Sequence, residues 1–344
     1  DDAMKHLPLS AAQADIWIAQ AIDPASPSLN IAEYVEIHGP VDPALIEESL
    51  RRIIAETGAL RLRFTTGEDG PRQDIAPLAG WSMPVIDISG EADPREAAER
   101  WMRARLAEPF ALDAEPLFTF VLFKAAPDRF FWFQRYHHII MDGMGGASIA
   151  RRLARTYTAL ARGEPVDDPE FSGDFGSLLD ADIAYRASDG FTRDRDYWTN
   201  LLADRPPAPS LASIPPVAAH HFHRETGIIP AEVANRLRQL NGNLGQLITA
   251  VTALYLHRLT GAGTMLLGLP AGARLQRPLR RVPGLASNLL PLCLTVGGAD
   301  TLADLVQQAG REMRAGLRHQ RYRHGDLRRD LNLHPRDDFL FATL

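Results

Sequence analysis

Residues 130–146 constrain this chain more than any other stretch. Phe130-Phe131-Trp132-Phe133-Gln134-Arg135-Tyr136-His137 is a run of strong β-formers, and Gly143-Met144-Gly145-Gly146 interrupts it. Beyond the break, Ile149, Leu153, Tyr157 and Leu160 recur at helical spacing, which predicts a helix from about Ala147 to about Gly163. His137-His138 therefore falls at a strand end and Asp142-Gly143 in the turn that follows. Adjacent residues of a strand face opposite ways, so the two histidines cannot share one task. One should face a cleft and the other should pack or hydrogen-bond behind it. A histidine near neutral pKa can accept a proton from an amine or hold its lone pair toward an electrophile. Asp142 reads either as a second catalytic carboxylate or as a turn anchor paired with an Arg, and Gly143 allows close backbone approach. On these residues alone His138 is more often a satisfied polar group than a catalytic one. Metal binding by His137, His138 and Asp142 is disfavoured, because the histidines diverge and no third strong ligand is near. His220-His221-Phe222-His223 follows a polar linker and reads as an exposed strand start; no metal site is expected.

Around this centre strands and helices alternate. Ser10-Ala11-Ala12-Gln13 is a capping box, and Asp42-Pro43 and Asp93-Pro94 each pair an N-cap with Pro at the first helical position. Strands are expected at Glu33 to His38, Leu60 to Phe64, Leu117 to Phe123 and Phe130 to His137, the last two joined as a hairpin. The polar, proline-bearing stretch 164–172 reads as a boundary, dividing the 344 residues into lobes at 1–170 and 171–344. In the second lobe two helices reach Ala203, and five prolines make 205–217 an extended linker. A strand at Phe222 to Ile229, helices at Ala231 to Leu240 and Leu244 to Leu259, strands at Met265 to Leu269 and Leu289 to Val296, and helices at Thr301 to Leu317 and Asp326 to Leu331 follow. The order predicts an α/β protein of two lobes with a cleft between them. The apolar run Phe339 to Leu344 should be a buried strand, so the second lobe is expected to be incomplete.

Composition removes several classes of function. A net charge of −6 disfavours a nucleic-acid partner. No apolar run approaches the roughly 18 residues that span a bilayer, and the first residues do not form a secretion signal. The lone Cys293 sits in an apolar run and suits a reducing compartment, so the cytoplasm is the expected location.

His137 to Gly143 matches the HHxxxDG signature of the condensation domains of nonribosomal peptide synthetases, and other landmarks follow in order. Leu7-Pro8-Leu9-Ser10-Ala11-Ala12-Gln13 with Ile16-Trp17 resembles that family's opening motif. Thr57-Gly58-Ala59-Leu60-Arg61-Leu62-Arg63-Phe64 resembles its second, without the usual Arg-His-Glu lead-in. Leu267 to Arg274 resembles the motif that supplies an Arg from the second lobe, and Gly284 to Leu292 the segment lining the tunnel floor. Arg318 to Tyr322 is similar to the next. Phe131 to Tyr136 resembles in particular the condensation domains of catecholate-siderophore synthetases, of the enterobactin and bacillibactin kind.

The resemblance implies a chloramphenicol-acetyltransferase-like fold, with two similar lobes in a V around a central tunnel. It implies amide formation between substrates carried on the phosphopantetheine of donor and acceptor peptidyl carrier proteins, beside a neighbouring adenylation domain, with no cofactor bound by the domain itself. His138 would act on the attacking amine, and backbone near Gly143 would help stabilise the oxyanion. His137 would be structural, and so would Asp142, paired with Arg274 across the lobes. Arg61 would be a weaker member of that network, and Asn288 would line the tunnel. A planar aryl donor is an expectation of the siderophore likeness; packing of Phe131 to Tyr136 as strand core is the alternative. A CoA-dependent acyltransferase of the same fold, an epimerisation domain and a non-catalytic docking platform remain rival readings.

Overall fold

A computed structural model describes residues 6–68, 70–114, 116–204, 208, 211, 225–240, 242–333 and 342–343. Among these the chain forms two compact units, the first comprising residues up to Ala184 together with Arg274–Ala286, the second the remainder.

The first unit runs β1 (Leu7–Pro8), α1 (Ala11–Ile22), β2 (Asn30–His38), α2 (Pro43–Glu56), a 3₁₀ turn (Gly58–Arg61), β3 (Leu62–Gly67), β4 (Gly70–Ile75), β5 (Val85–Asp87), α3 (Pro94–Leu106), β6 (Phe118–Ala126), β7 (Arg129–His137) and α4 (Gly143–Arg162). The expected caps form: Ser10 and Gln13 close a capping box on α1, and Asp42 and Asp93 accept backbone N–H groups at the starts of α2 and α3. One sheet has the order β2-β7-β6-β5, and a smaller one the order β1-β4-β3. Strand β7 is paired on both edges, to β2 and β6, and buried on both faces, which is why its sequence is nearly continuous in apolar residues. Phe130, Trp132 and Tyr136 face a core shared with Leu50, Ile53 and Ile149, whereas Phe131 and Phe133 face Ala98 and Met102 of α3.

Helix α5 (Phe175–Arg186) leads into the second unit, which contains α6 (Asp189–Leu201), α7 (Ala231–Arg238), α8 (Leu244–Thr260), β8 (Thr264–Ala271), β9 (Asn288–Thr295), α9 (Leu302–Arg318), α10 (His324–Asp330) and β10 (Ala342–Thr343). Its sheet, ordered β10-β8-β9, is also covered on both faces. Met265 and Leu267 pack with Ala250 of α8 and Leu305 and Ala309 of α9, while Leu266 and Leu290 pack with Trp198 and Tyr322. No helix among the described residues is long and apolar enough to cross a membrane.

The stretch read as a boundary does not separate two bodies. Phe171 and Phe175 pack into the first unit's core, Gly58 donates its N–H to Gly173 O at 2.9 Å, and Ser172 donates to Arg281 O at 2.9 Å. The division falls instead at Ala184, within α5, and the excursion 274–286 between β8 and β9 returns to the first unit. Helix α4 starts at Gly143, four residues before the expected Ala147, because three poor helix-forming glycines hide its first turn. Strand β4 was not foreseen, since Gly-Pro-Arg-Gln-Asp lacks β-formers; pairing with β3 along its whole length supplies what propensity does not. Residues 225–229 form no strand, and Ile228 is 94 % exposed there. The linker apart from residues 208 and 211, the His220-His221-Phe222-His223 cluster and the terminal apolar run apart from 342–343 lie outside the described residues.

The docking of 171–175 onto the end of α2 is tight. A Cβ at Gly173 would stand 1.6 Å from Glu56 O, a backbone atom that no side-chain rotation can move. Gly173→Ala is expected to destabilise the first unit by about 3 kcal/mol or more, seen as a lowered urea midpoint. A parental midpoint would mean that this loop does not dock.

Candidate active site

Strand β7 ends by handing its chain to a buried turn. His137 N–H donates to Leu117 O at 2.9 Å and His138 N–H to Leu29 O at 2.8 Å, so both neighbouring segments grip the strand end. Ile139, Ile140 and Met141 are fully buried and anchor the turn by their side chains. Ile140 and Met141 close it through N–H bonds to His137 O and His138 O.

The two histidines take different partners, His137 as the last residue of β7 and His138 as the first of the turn. His137 is buried, and its Nδ1 accepts Ile139 N–H at 3.1 Å. Because a neutral imidazole has one donor and one acceptor, Nε2 carries the proton and donates to Gln20 Oε1 at 2.9 Å. Burial, with His138 and Arg135 nearby, pulls the His137 pKa down to about 4, so the ring is neutral around pH 7. His138 is half-buried. Its Nδ1 lies 2.8 Å from Met141 O, a carbonyl that can only accept, so Nδ1 bears the proton and Nε2 carries the lone pair.

Asp142 caps α4 and is 1 % exposed. Its Oδ1 accepts Gly145 N–H at 2.9 Å and an Arg274 N–H at 3.2 Å; its Oδ2 accepts Arg274 at 2.8 Å and Ala286 N–H at 3.0 Å. Burial alone would raise this carboxyl's pKa, but the Arg274 charge and the donated hydrogen bonds outweigh it and hold the pKa below the ordinary value. Arg274 is 5 % exposed and also donates to Gly284 O at 2.9 Å. Both partners belong to the first unit, since Arg274 opens the returning excursion; the pair is therefore internal to that unit.

Gly143 is exposed, and a Cβ there would meet nothing within 4 Å, so the chain's own packing does not demand glycine. Gly145 is the sterically required one, since a Cβ there would lie 2.4 Å from Met141 Sδ and 2.9 Å from Gly284 N. The glycines after Asp142 carried that signal, but its meaning depended on which segment came near. Arg61 is not brought to the pair: no hydrogen bond joins it to Asp142 or Arg274, and its Nε is buried without a partner. Asn288 is 6 % exposed and uses its amide on Gln320 O, Tyr322 O and His324 N–H, which makes it a strut for residues 320–324. Phe131, Trp132, Phe133 and Tyr136 are all buried core. Arg135 is buried beside them, stacked over Phe110 at 4.0 Å and donating to Glu108 O; burial lowers its pKa to about 10. Gln20 escaped the sequence reading as a site residue, although it stands within the opening motif's helix.

The chain as a whole matches a known family. The sequence model of the condensation domain matches residues 3–344. The chain is 44 % identical over 338 residues to a dimodular nonribosomal peptide synthase of Bacillus subtilis, covering 97 % of this chain and 14 % of that protein. It is 30 % identical over 347 residues to enterobactin synthase component F of Escherichia coli, covering 99 % of this chain and 27 % of that protein. The chain thus spans between about a seventh and a quarter of the length of these relatives. Among solved structures, an arginine-to-alanine variant of the starter condensation domain of rhizomide synthetase, in complex with C8-CoA, superposes with a TM-score of 0.93 at 41 % identity, covering 98 % of this chain and 78 % of that one. The chain therefore has the chloramphenicol-acetyltransferase-like fold and belongs to the condensation-domain family, the amide-forming acyltransferases of nonribosomal peptide synthetases.

Proposed function

We propose that this domain joins a carrier-bound acyl thioester to the amine of a carrier-bound aminoacyl group, with His138 as the reacting base. The carrying observation is the His138 tautomer: Nδ1–H is committed to Met141 O, which leaves the Nε2 lone pair for the incoming amine. The amine nitrogen attacks the thioester carbonyl carbon, the tetrahedral intermediate expels the carrier thiolate, and the amine proton leaves by way of Nε2. Taking that proton and stabilising a zwitterionic intermediate both use the same lone pair. A thioester is already activated, so holding the two ends together supplies much of the rate. Asp142 is no second base in this reading, since its oxygens are occupied by Arg274 and two backbone N–H groups. Backbone at Gly143, the first residue of α4, lies where a helix N-terminus favours a developing oxyanion, and its open Cβ side leaves room for a substrate. The partners in this reading are two phosphopantetheinylated carrier proteins and an adjoining adenylation domain, in the cytoplasm.

The donor we assign is a carboxylic acid without a free α-amine, as in a starter reaction. The starter condensation domain that superposes on this chain binds C8-CoA, and the enterobactin synthase likeness extends over the whole chain. No aromatic of Phe131–Tyr136 is free to recognise an aryl ring, so the siderophore likeness supports the donor class without identifying a catechol.

His138→Ala is expected to lower amide formation by roughly 10²–10⁴-fold while the protein folds as the parent does; near-parental turnover of two loaded carriers would remove His138 from the reaction. Asp142→Ala should cost roughly 3–5 kcal/mol of stability, because it strands a buried Arg274. A variant that melts like the parent yet is inactive would make Asp142 a catalytic group. The pH dependence has a definite sign. Asp142's folded pKa is depressed, so its contribution is present above the unfolded carboxyl pKa and disappears as pH falls through the folded one. Asp142→Asn should therefore lose part of the parent's acid-dependent change in melting temperature. With one aminoacyl acceptor held constant, octanoyl and dihydroxybenzoyl carriers should outcompete aminoacyl carriers as donors; equal or better use of the aminoacyl donor refutes the starter assignment and leaves the amide-forming one intact.

A further inference from the structure

Two buried side chains of the first unit have no role in the reaction just described, Gln20 of α1 and His137 of β7. They lie 117 positions apart in the chain and meet at 2.9 Å. The orientation of the Gln20 amide is imposed by its surroundings. Its Nε2 faces three carbonyls, Asp23 O at 3.0 Å, Pro24 O at 3.2 Å and Ser26 O at 3.3 Å, so Oε1 must be the end presented to His137. On the other side of the ring, Nδ1 accepts Ile139 N–H at 3.1 Å, the first backbone donor of the turn after His138. The opposite tautomer would set Nδ1–H against that N–H and the Nε2 lone pair against the Gln20 oxygen, leaving buried polar groups without partners.

We propose that Gln20 is a positioning residue for amide formation: it locks His137 as the Nε2–H tautomer, His137 holds Ile139 N–H, and that bond shapes the turn in which His138 presents its own Nε2. The proposal rests on His138 being the reacting base. Its charged surroundings are simple. Arg135 on the same strand and His138 beside it both oppose protonation of His137, the Phe110 ring meets it edge-on at 6.2 Å, and α1 contributes the neutral Gln20.

The test combines kinetics with the tautomer itself. In protein labelled with ¹⁵N-histidine, His137 should show a protonated Nε2 and an acceptor Nδ1 from about pH 6 to about pH 9. Gln20→Met should shift that signature and lower kcat by about 10²-fold with the acceptor KM little changed, as expected when a reacting group is displaced. Gln20→Glu places a carboxylate against His137 and favours its imidazolium, which has no lone pair for Ile139 N–H. Its rate should therefore fall as pH is lowered, through an ionisation that the parent does not show. A parental His137 protonated on Nδ1 overturns the proposal, and so does a Gln20→Met protein with parental kcat and an unshifted tautomer. If Gln20→Met does not fold, the parental tautomer and the pH profile of Gln20→Glu decide. Full activity in His138→Ala would overturn the base assignment without touching the tautomer. An inactive His138→Ala beside unaffected Gln20 variants overturns the positioning role alone.

Discussion

The Asp142 carboxylate is the contact on which the candidate site depends. Its two oxygens hold the first turn of α4 through Gly145, the guanidinium of Arg274 and the backbone at Ala286. These belong to segments more than a hundred residues apart in the chain, drawn together in a buried setting where neither charge could stand alone. Desolvation works against the ionised pair, and the paired guanidinium contacts plus two backbone donors offset it. The same contact brings the Gly284 backbone against Gly145, an approach that a side chain at Gly145 would not permit.

With Asp142 so occupied, an imidazole is left for the chemistry we propose, and two backbone groups of the turn after β7 set the histidine tautomers. Met141 O decides which nitrogen of His138 keeps its lone pair, and Ile139 N–H decides the same for His137. Two neighbouring histidines thus hold opposite tautomers, because one meets a backbone N–H of the following turn and the other a backbone carbonyl of it. The buried ring is neutral and accepts the first N–H of the turn; the half-buried ring is the one we propose meets the substrate.

The aromatic strand beside this site teaches a different lesson. The siderophore likeness of Phe131 to Tyr136 raised the expectation of a planar donor beside its series of rings. Position in the sheet explains the series: β7 is paired on both edges and packed on both faces, so nearly every position along it favours an apolar or aromatic side chain. Of its polar members, Gln134 bonds to Glu33 and to Gly146 O, and Arg135 donates through one terminal nitrogen to Glu108 O while its guanidinium lies over the Phe110 ring. Donor recognition must therefore come from residues other than these rings.

The features legible in the sequence were those governed by short-range physics. The caps at Ser10, Asp42 and Asp93, the hairpin joining β6 to β7 and the amphipathic helices each follow from a few neighbouring residues. The pairing of β4 and the attachment of 171–175 to the first unit were not legible, because each depends on a partner supplied from elsewhere, and the early start of α4 was hidden by its glycines. The same holds for the site. The sequence by itself marked His138, Asp142 and Arg274 as chemically apt, whereas the tertiary structure alone decided that Arg61 stands apart, that Asn288 braces a backbone segment and that Gln20 meets His137. Propensity and capping act across a few residues, but a buried hydrogen bond is selected by whichever group folding brings within about 3 Å, and that choice is written nowhere along the chain.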